Sequence, residues 1–480
     1  MPDYEPFQAN LADGVEMMNK QQPIYNAISV GLLLVAVVLS GCGSSAGEGN
    51  NTHPADASTE DPGDSPLHTD ASTEDPSDSG TTSPDPCGTF GGDFTRCEAN
   101  PLYTAGNAHS DGRLELFIAD PSVMYDEDEQ LWKAWWQSPL ESNYLTPDPK
   151  TAVLYAESPD GLSWTVQDAP AMTAGVDPGD WDFDRMETPC VVKVPSNPPD
   201  RRYVLYYTGG NFEAVASPFP GYPWYQIGVA FSADGRSFER LPASESPYAD
   251  RPTPFENIDG LVWYGSDAFP NMANMHDGLV GDPEIVIVDG VWHLFSSSFA
   301  VDQDYSPIAF GISHATSNDG VHWVSGPDNP VMDGQQPSVI WDGSRFEVFY
   351  NGDSDAERAE LPSAFNAILH ISHAYSTDGA TGEAFATSDP DHVFSWDESF
   401  GYERYAWLTG ADVVLREDGY WLFYTGYSDV NPPEDFLVPA NNGWCDGAGD
   451  TCKCFVEDED GAEVCLLESV MTFNLARRTR

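Results

Sequence analysis

Asp120-Pro121-Ser122-Val123, Thr188-Pro189-Cys190-Val191, Asp282-Pro283-Glu284-Ile285 and Gln336-Pro337-Ser338-Val339 each set a polar residue before Pro and an apolar run after it. Gly410-Ala411-Asp412-Val413 follows the pattern more loosely. The acids at or beside these five points are Asp120, Glu187, Asp282, Glu284 and Asp412, with the amides Gln335 and Gln336 in the fourth. Carboxyls brought together divide labour: crowding raises one pKa, so one group holds a proton to donate while another stays ionised to accept one. Asp before Pro is also a turn former, and only convergence on one place separates the two readings. The chain has no Gly-rich phosphate loop, Gly-x-Ser-x-Gly elbow or His-Glu-x-x-His.

The elements that would position these residues repeat. After each Pro-marked strand comes an aromatic-rich one ("LWKAWW", "RYVLYYTGG", "VWHLFSSS", "RFEVFYNG", "YWLFYTG"), and then a third ("AVLYAES", "QIGVAFS", "FGISHATS", "LHISHAYS"). A turn follows in "SPDGLSW", "SADGRSF", "SNDGVHW" and the degenerate "STDGATGEAF", where Asp-Gly supplies left-handed backbone and the next aromatic plugs the gap to a neighbouring sheet. Five first strands spaced by about 72 residues, with four strands per unit, predict an all-β, five-bladed β-propeller of four-stranded blades. The last blade draws its late strand from "SVMTFNL" at Ser469, and a strand near "RLELFIA" at Arg113 is left open as the closure. In such a ring the first strands line a central channel, so their heads form one polar pocket.

Five blades, "DPSV" in the first, "DPEIVI" in the third and endings of the form Ile-Gly-x-Ala-x-Ser-x-Asp-Gly-x-x-Trp make residues 87–480 resemble the five-bladed glycoside hydrolases of families 43 and 32. The resemblance implies that Asp120 is general base or nucleophile and that Asp282 orients substrate and tunes pKa. It also implies a Glu-Gly-Pro acid on the fourth blade, where this chain has Gln335-Gln336-Pro337. An amide cannot donate that proton. The nearest Glu-x-Pro is Glu187-Thr188-Pro189, which makes Glu187 the candidate general acid. Glycosidic cleavage needs two carboxyls across the scissile bond, one protonated and one ionised. Glu284, Gln335, Gln336 and Asp412 are expected to touch substrate, and Trp181, Trp224, Tyr225, Trp263, Tyr264 and Trp407 are candidate sugar-stacking platforms or core aromatics. No cofactor is required; a calcium ion in the channel is weighed, with His109 beside Asp111 and His276 beside Asp277 as weak ligand candidates. The rival function is a non-catalytic propeller that captures glycans or a protein partner.

Composition sets the compartment. Lys and Arg total 20 against 78 acids, a formal charge of −58, which repels nucleic acid and favours salty or extracellular surroundings. "MNKQQPIYNAISVGLLLVAVVLSGC" reads as a signal peptide over 1–41, with a true start at Met17 or Met18, and Leu39-Ser40-Gly41-Cys42 resembles a bacterial lipobox that lipidates Cys42. Residues 42–86, with "DASTEDPGDS" repeated as "DASTEDPSDS", predict a disordered acidic tether. The expectation is an exported monomer, anchored to an outer membrane or cell surface, with a carbohydrate substrate. Cys87, Cys97 and the cysteines of an insertion near 430–466 (Cys445, Cys452, Cys454, Cys465) read as disulfides of unassigned pairing, with zinc as the rival reading; Cys190 reads as a buried thiol.

Overall fold

The computed structural model describes residues 85–106, 115, 118–139, 150–211, 224–303, 306–352, 370–377, 385, 392–397, 399–403, 405–428, 437–439, 452–456, 463–467 and 470–480. The expected signal peptide, Cys42, the expected tether up to residue 84, Cys445, His109 and Asp111 lie outside them. Within them the chain is a five-bladed β-propeller. Blade 1 runs Ala119–Asp126, Leu131–Pro139, Thr151–Ser158 and Thr165–Val166; blade 2 runs Arg185–Lys193, Tyr203–Gly210, Gln226–Ser232 and Glu239–Arg240. Blade 3 is Asp277–Val288, Val291–Val301, Pro307–Ser317 and Val324–Ser325; blade 4 is Gln335–Trp341, Phe346–Asn351, His370–Ser376 and His392–Ser395. All neighbours pair antiparallel, and the five first strands contact one another in a closed cycle around the axis.

Blade 5 closes the ring with strands from both ends of the propeller. Tyr405–Arg416, Gly419–Ser428 and Val470–Arg478 are its first three strands, and Thr95–Arg96 pairs with Ala476 and Arg477 as its fourth. The closing strand is therefore eight residues after Cys87 rather than near Arg113. The Cys87–Cys97 disulfide clips this strand. Arg96 reaches back to blade 4 through Ser395 O and binds Glu403 with Nε at 2.7 Å and Nη2 at 2.6 Å. The insertion after blade 5's second strand forms its own small sheet of Leu437–Pro439, Cys452–Val456 and Glu463–Leu467, in which Cys454 lies opposite Cys465.

Both faces of every blade are covered, so the second strands read as continuous apolar runs instead of a polar alternation. Trp132 and Trp136 turn toward blade 5, against Trp421, Phe423 and Phe473, whereas Trp135 turns toward blade 2, against Leu205 and Tyr207. Comparable clusters fill the other three interfaces. The Asp-Gly turns act across these seams: Gly235 has φ 82° and a Cβ there would lie 3.0 Å from Trp135, whose Nε1 donates to Gly235 O at 2.8 Å. Tyr206 grips Gly320 O in the same way at 2.6 Å.

Candidate active site

Every first strand carries a bulge at its Pro-marked point. The register against the second strand breaks between Ala119 and Ser122, Glu187 and Cys190, Gly281 and Glu284, Gln335 and Ser338, and Thr409 and Asp412. The residue in each break is left-handed: Asp120 (φ 50°), Thr188 (45°), Asp282 (48°), Gln336 (49°) and Gly410 (56°). Such backbone strains a non-glycine residue by about 1–3 kcal/mol and persists only where surroundings fix it. The following Pro has no N–H to leave unpaired. The amide of the strained residue is held instead by a polar side chain from the preceding blade: Thr188 N donates to Gln137 Oε1 (3.1 Å), Asp282 N to Thr208 Oγ1 (2.9 Å) and Gln336 N to Ser297 Oγ (2.9 Å). This repeated device aims Asp120, Thr188, Asp282 and Gln336 into one cavity on the axis.

The five positions are equivalent in backbone and unlike in chemistry. Asp120 accepts from Gln137 Nε2 at 2.7 Å and from Gln336 Nε2 at 3.0 Å. Gln336 Oε1 in turn accepts from Asn351 Nδ2 and, at 3.4 Å, from Gly410 N. Blade 5 has glycine here because a Cβ on Gly410 would lie 2.3 Å from Asp120 Cα and 2.4 Å from its Oδ1. Asp282 is the contrary case. It is 5% exposed, and neither carboxyl oxygen meets a donor in hydrogen-bonding geometry. Burial pushes its pKa up to about 8; the Ser297 hydroxyl opposes it, the charges of Asp120 and Glu187 add to the rise, and the Gln336 amide opposes it least.

Glu187, one residue before the strained Thr188, is buried as well. Arg185 Nε lies 3.4 Å from Oε1 and the Tyr225 hydroxyl donates to Oε2 at 2.9 Å. Burial raises its pKa, and Arg185 and Tyr225 oppose the rise. Its field reaches Asp282, so Asp120, Asp282 and Glu187 form one electrostatic group.

Two residues past each strained position lies a second ring, which sequence reasoning missed as a ring. Ser122 Oγ accepts from Val191 N (3.0 Å), Cys190 Sγ from Ile285 N (3.3 Å), the Glu284 carboxyl from the Val339 amide, Ser338 Oγ from Val413 N (2.9 Å) and Asp412 Oδ2 from Val123 N. Each blade thereby accepts an amide from the next, and the fifth accepts from the first. Glu284 and Asp412 line the cavity, yet their carboxyls serve this blade-to-blade latch, which accounts for an acid at these positions without a substrate. Burial raises both pKa values, and the charge of Asp412 raises Glu284 further. The only advance signal was a small or polar residue recurring inside an apolar strand.

The aromatics divide. Trp181 has no exposed surface: it stacks on Tyr207 with ring centroids 5.6 Å apart and donates Nε1 to Asp259 O. Trp263 is buried between blades 2 and 3. Neither presents a face to a sugar. Tyr225 serves Glu187, while Trp224 and Tyr264 pack together with centroids 6.4 Å apart. Trp407 lies on the first strand of blade 5, and its side chain is outside the described residues. Gln335 is buried with an unpartnered Oε1. His276 is exposed, with its backbone amide bonded to Val301 O, and Asp277 accepts from its neighbour Gly278 N. Among the described residues, no group of three or more His, Cys, Asp or Glu side chains has the arrangement to hold a metal.

No family model matches the chain. No curated protein matches it. Solved structures share its shape. One comes from work describing family 130 of mannoside phosphorylases as containing glycoside hydrolases that target β-1,2 mannosidic linkages in Candida mannan: 15% identity, TM-score 0.46, covering 81% of this chain and 94% of that one. A family 117 glycoside hydrolase of the marine bacterium Zobellia galactanivorans is 14% identical with TM-score 0.44, covering 80% and 90%. A glycosyl hydrolase of Bacteroides ovatus is 15% identical with TM-score 0.44, covering 70% and 91%. Likenesses this distant concern fold, and what the chain does has to be argued from its own carboxyls.

Proposed function

We propose that the protein is a glycoside hydrolase whose reacting groups are Asp120 and Asp282. One observation carries the reading: a single cavity on the propeller axis holds a carboxyl that accepts from two N–H donors and another that has no donor in hydrogen-bonding geometry, with only the Ser297 hydroxyl and the Gln336 amide nearby. The first is suited to stay ionised and the second to stay protonated at neutral pH, which is the division of labour that glycosidic cleavage requires. The Asp282 proton passes to the glycosidic oxygen as the C–O bond to the anomeric carbon breaks. Asp120 either attacks that carbon or takes a proton from the water that does. Glu187 keeps the Asp282 proton on by its charge. In the sequence, Asp282 stood as the tuner and Glu187 as the acid; the donors around Glu187 and their absence at Asp282 favour exchanging the two roles.

Export with a lipidated Cys42 and a carbohydrate substrate belong to the same proposal, supported by the lipobox-like segment and by the acidic, cation-poor composition. The test is a panel of chromogenic arabinosides, xylosides, galactosides, mannosides and fructosides with wild type, Asp120→Asn, Asp282→Asn and Glu187→Gln. Cleavage by wild type and a loss of kcat/KM of about 10²–10⁴ in Asp120→Asn is expected, with the loss in Asp282→Asn growing as the leaving group becomes poorer. Equal turnover by wild type and Asp120→Asn removes Asp120 from the reaction. Saturable glycan binding without release of reducing ends supports the capture reading instead.

A further inference from the structure

Gln336 stands where blades 1 and 3 set Asp120 and Asp282 before Pro, and its surroundings explain the amide. Gly410 N–H can only donate, so the end of Gln336 that meets it is the carbonyl, and the end that meets Asp120 is the NH2. Thr188 N–H fixes Gln137 by the same logic: Oε1 takes the Thr188 amide, and Nε2 is left for Asp120 Oδ2. Both oxygens of Asp120 thus face donors whose orientation is set by backbone groups of other blades. Each oxygen accepts from one fixed N–H, and hydrogen bonds to the charged form favour the carboxylate over the acid.

We infer that Gln137 and Gln336 are positioning residues that hold Asp120 as an acceptor-only carboxylate, and so decide which of the two axial carboxyls is base or nucleophile and which is proton donor. The inference rests on the hydrolase reading for its use, though not for its chemistry. Gln336 then has a use of its own at the position where blades 1 and 3 carry Asp. A Glu in its place would set a second carboxyl against Asp120, and the two would have to share a proton. Gly410 completes the device by letting the blade 5 backbone approach closely enough to orient Gln336.

The experiment is a ¹³C titration of the Asp carboxyls in full-length, Asp-labelled protein, with Asp120→Asn to assign the Asp120 signal, alongside pH profiles of kcat/KM. In wild type the Asp120 signal should titrate at least about one pH unit below an ordinary Asp side chain, which titrates near 3.9. Gln336→Glu and Gln137→Glu should each raise its midpoint by about one unit or more, and the acid limb of the pH profile should move with it. A structural role alone would lower activity at every pH and leave the limb where it was. A wild-type midpoint at or above the ordinary value overturns the inference even if neither variant folds. So does an unmoved midpoint in the folded variants. A low midpoint in a protein that cleaves no glycoside keeps the clamp and defeats the hydrolase reading; glycoside cleavage with an ordinary Asp120 does the reverse.

Discussion

Asp282 is a carboxyl that the fold buries without a donor in full hydrogen-bonding geometry. Burial moves its pKa from 3.8 to about 8, so the folded chain binds a proton that the unfolded chain releases between those values. Stability attributable to this group is therefore full below pH 4, falls as the pH rises toward 8, and is flat above. Asp282→Asn removes the ionisation: its unfolding free energy should exceed that of wild type by about 2 kcal/mol or more at pH 8, with the gain shrinking toward zero at pH 4. Urea denaturation at the two pH values checks this, and a gain independent of pH counts against a buried proton. Glycosidase activity should carry the same group in its alkaline limb, present below pH 8 and lost above it. At this scale the axial placement of Asp120 and Asp282 was legible because a polar residue before Pro heads an apolar strand in four of the five repeats. Gln137, Thr208 and Ser297 were not, since single polar residues on aromatic strands belong to no motif and gain meaning only from the neighbouring blade's amide.

Elements position these residues through the repeated bulge and its two sets of cross-blade bonds. The strand order and the turns followed from hydrophobic pattern and Asp-Gly pairs, whereas a bulge leaves no trace in periodicity because it shifts register after the pattern is set. The Pro in four of five blades was its mark, open equally to reading as a turn. Cys190 shows what the latch requires. As a thiol it looks like inert packing, yet its sulfur is the acceptor for Ile285 N in a buried seam. Cys190→Val, which keeps volume and removes the acceptor, should cost about 1–3 kcal/mol more than Cys190→Ser, which keeps it. Equal stability of the two variants by chemical denaturation would mean that the thiol only fills space.

The propeller is a ring closed by strands from its own two ends, and closure was the least legible feature. A two-residue strand carries too little pattern to be found, and Thr95–Arg96 becomes a strand only because Val470–Arg478 offers it an edge. Its hold is electrostatic as much as backbone. Glu403 has a fully buried side chain, paired with Arg96 and with the Tyr424 hydroxyl. Arg96→Ala leaves that charge buried without its cation, held only by the Tyr424 hydroxyl and the Asp397 amide, and should cost about 3 kcal/mol; Arg96→Lys should recover only part, since one ammonium cannot reproduce the two-point contact. Thermal unfolding of the pair measures it, and a loss below about 1 kcal/mol would show that the backbone pairing closes the ring unaided.

The opposite protonation of two axial carboxyls is tested most directly by a leaving-group series on Asp282→Asn. With aryl glycosides of the preferred sugar, a leaving group that departs without a proton, such as dinitrophenolate, should be cleaved within about tenfold of wild type. Poorly departing alkyl or nitrogen-free phenyl groups should lose about 10³-fold or more. A loss of equal size across the series, or this graded pattern in Glu187→Gln instead, would contradict the assignment of Asp282 as the proton donor.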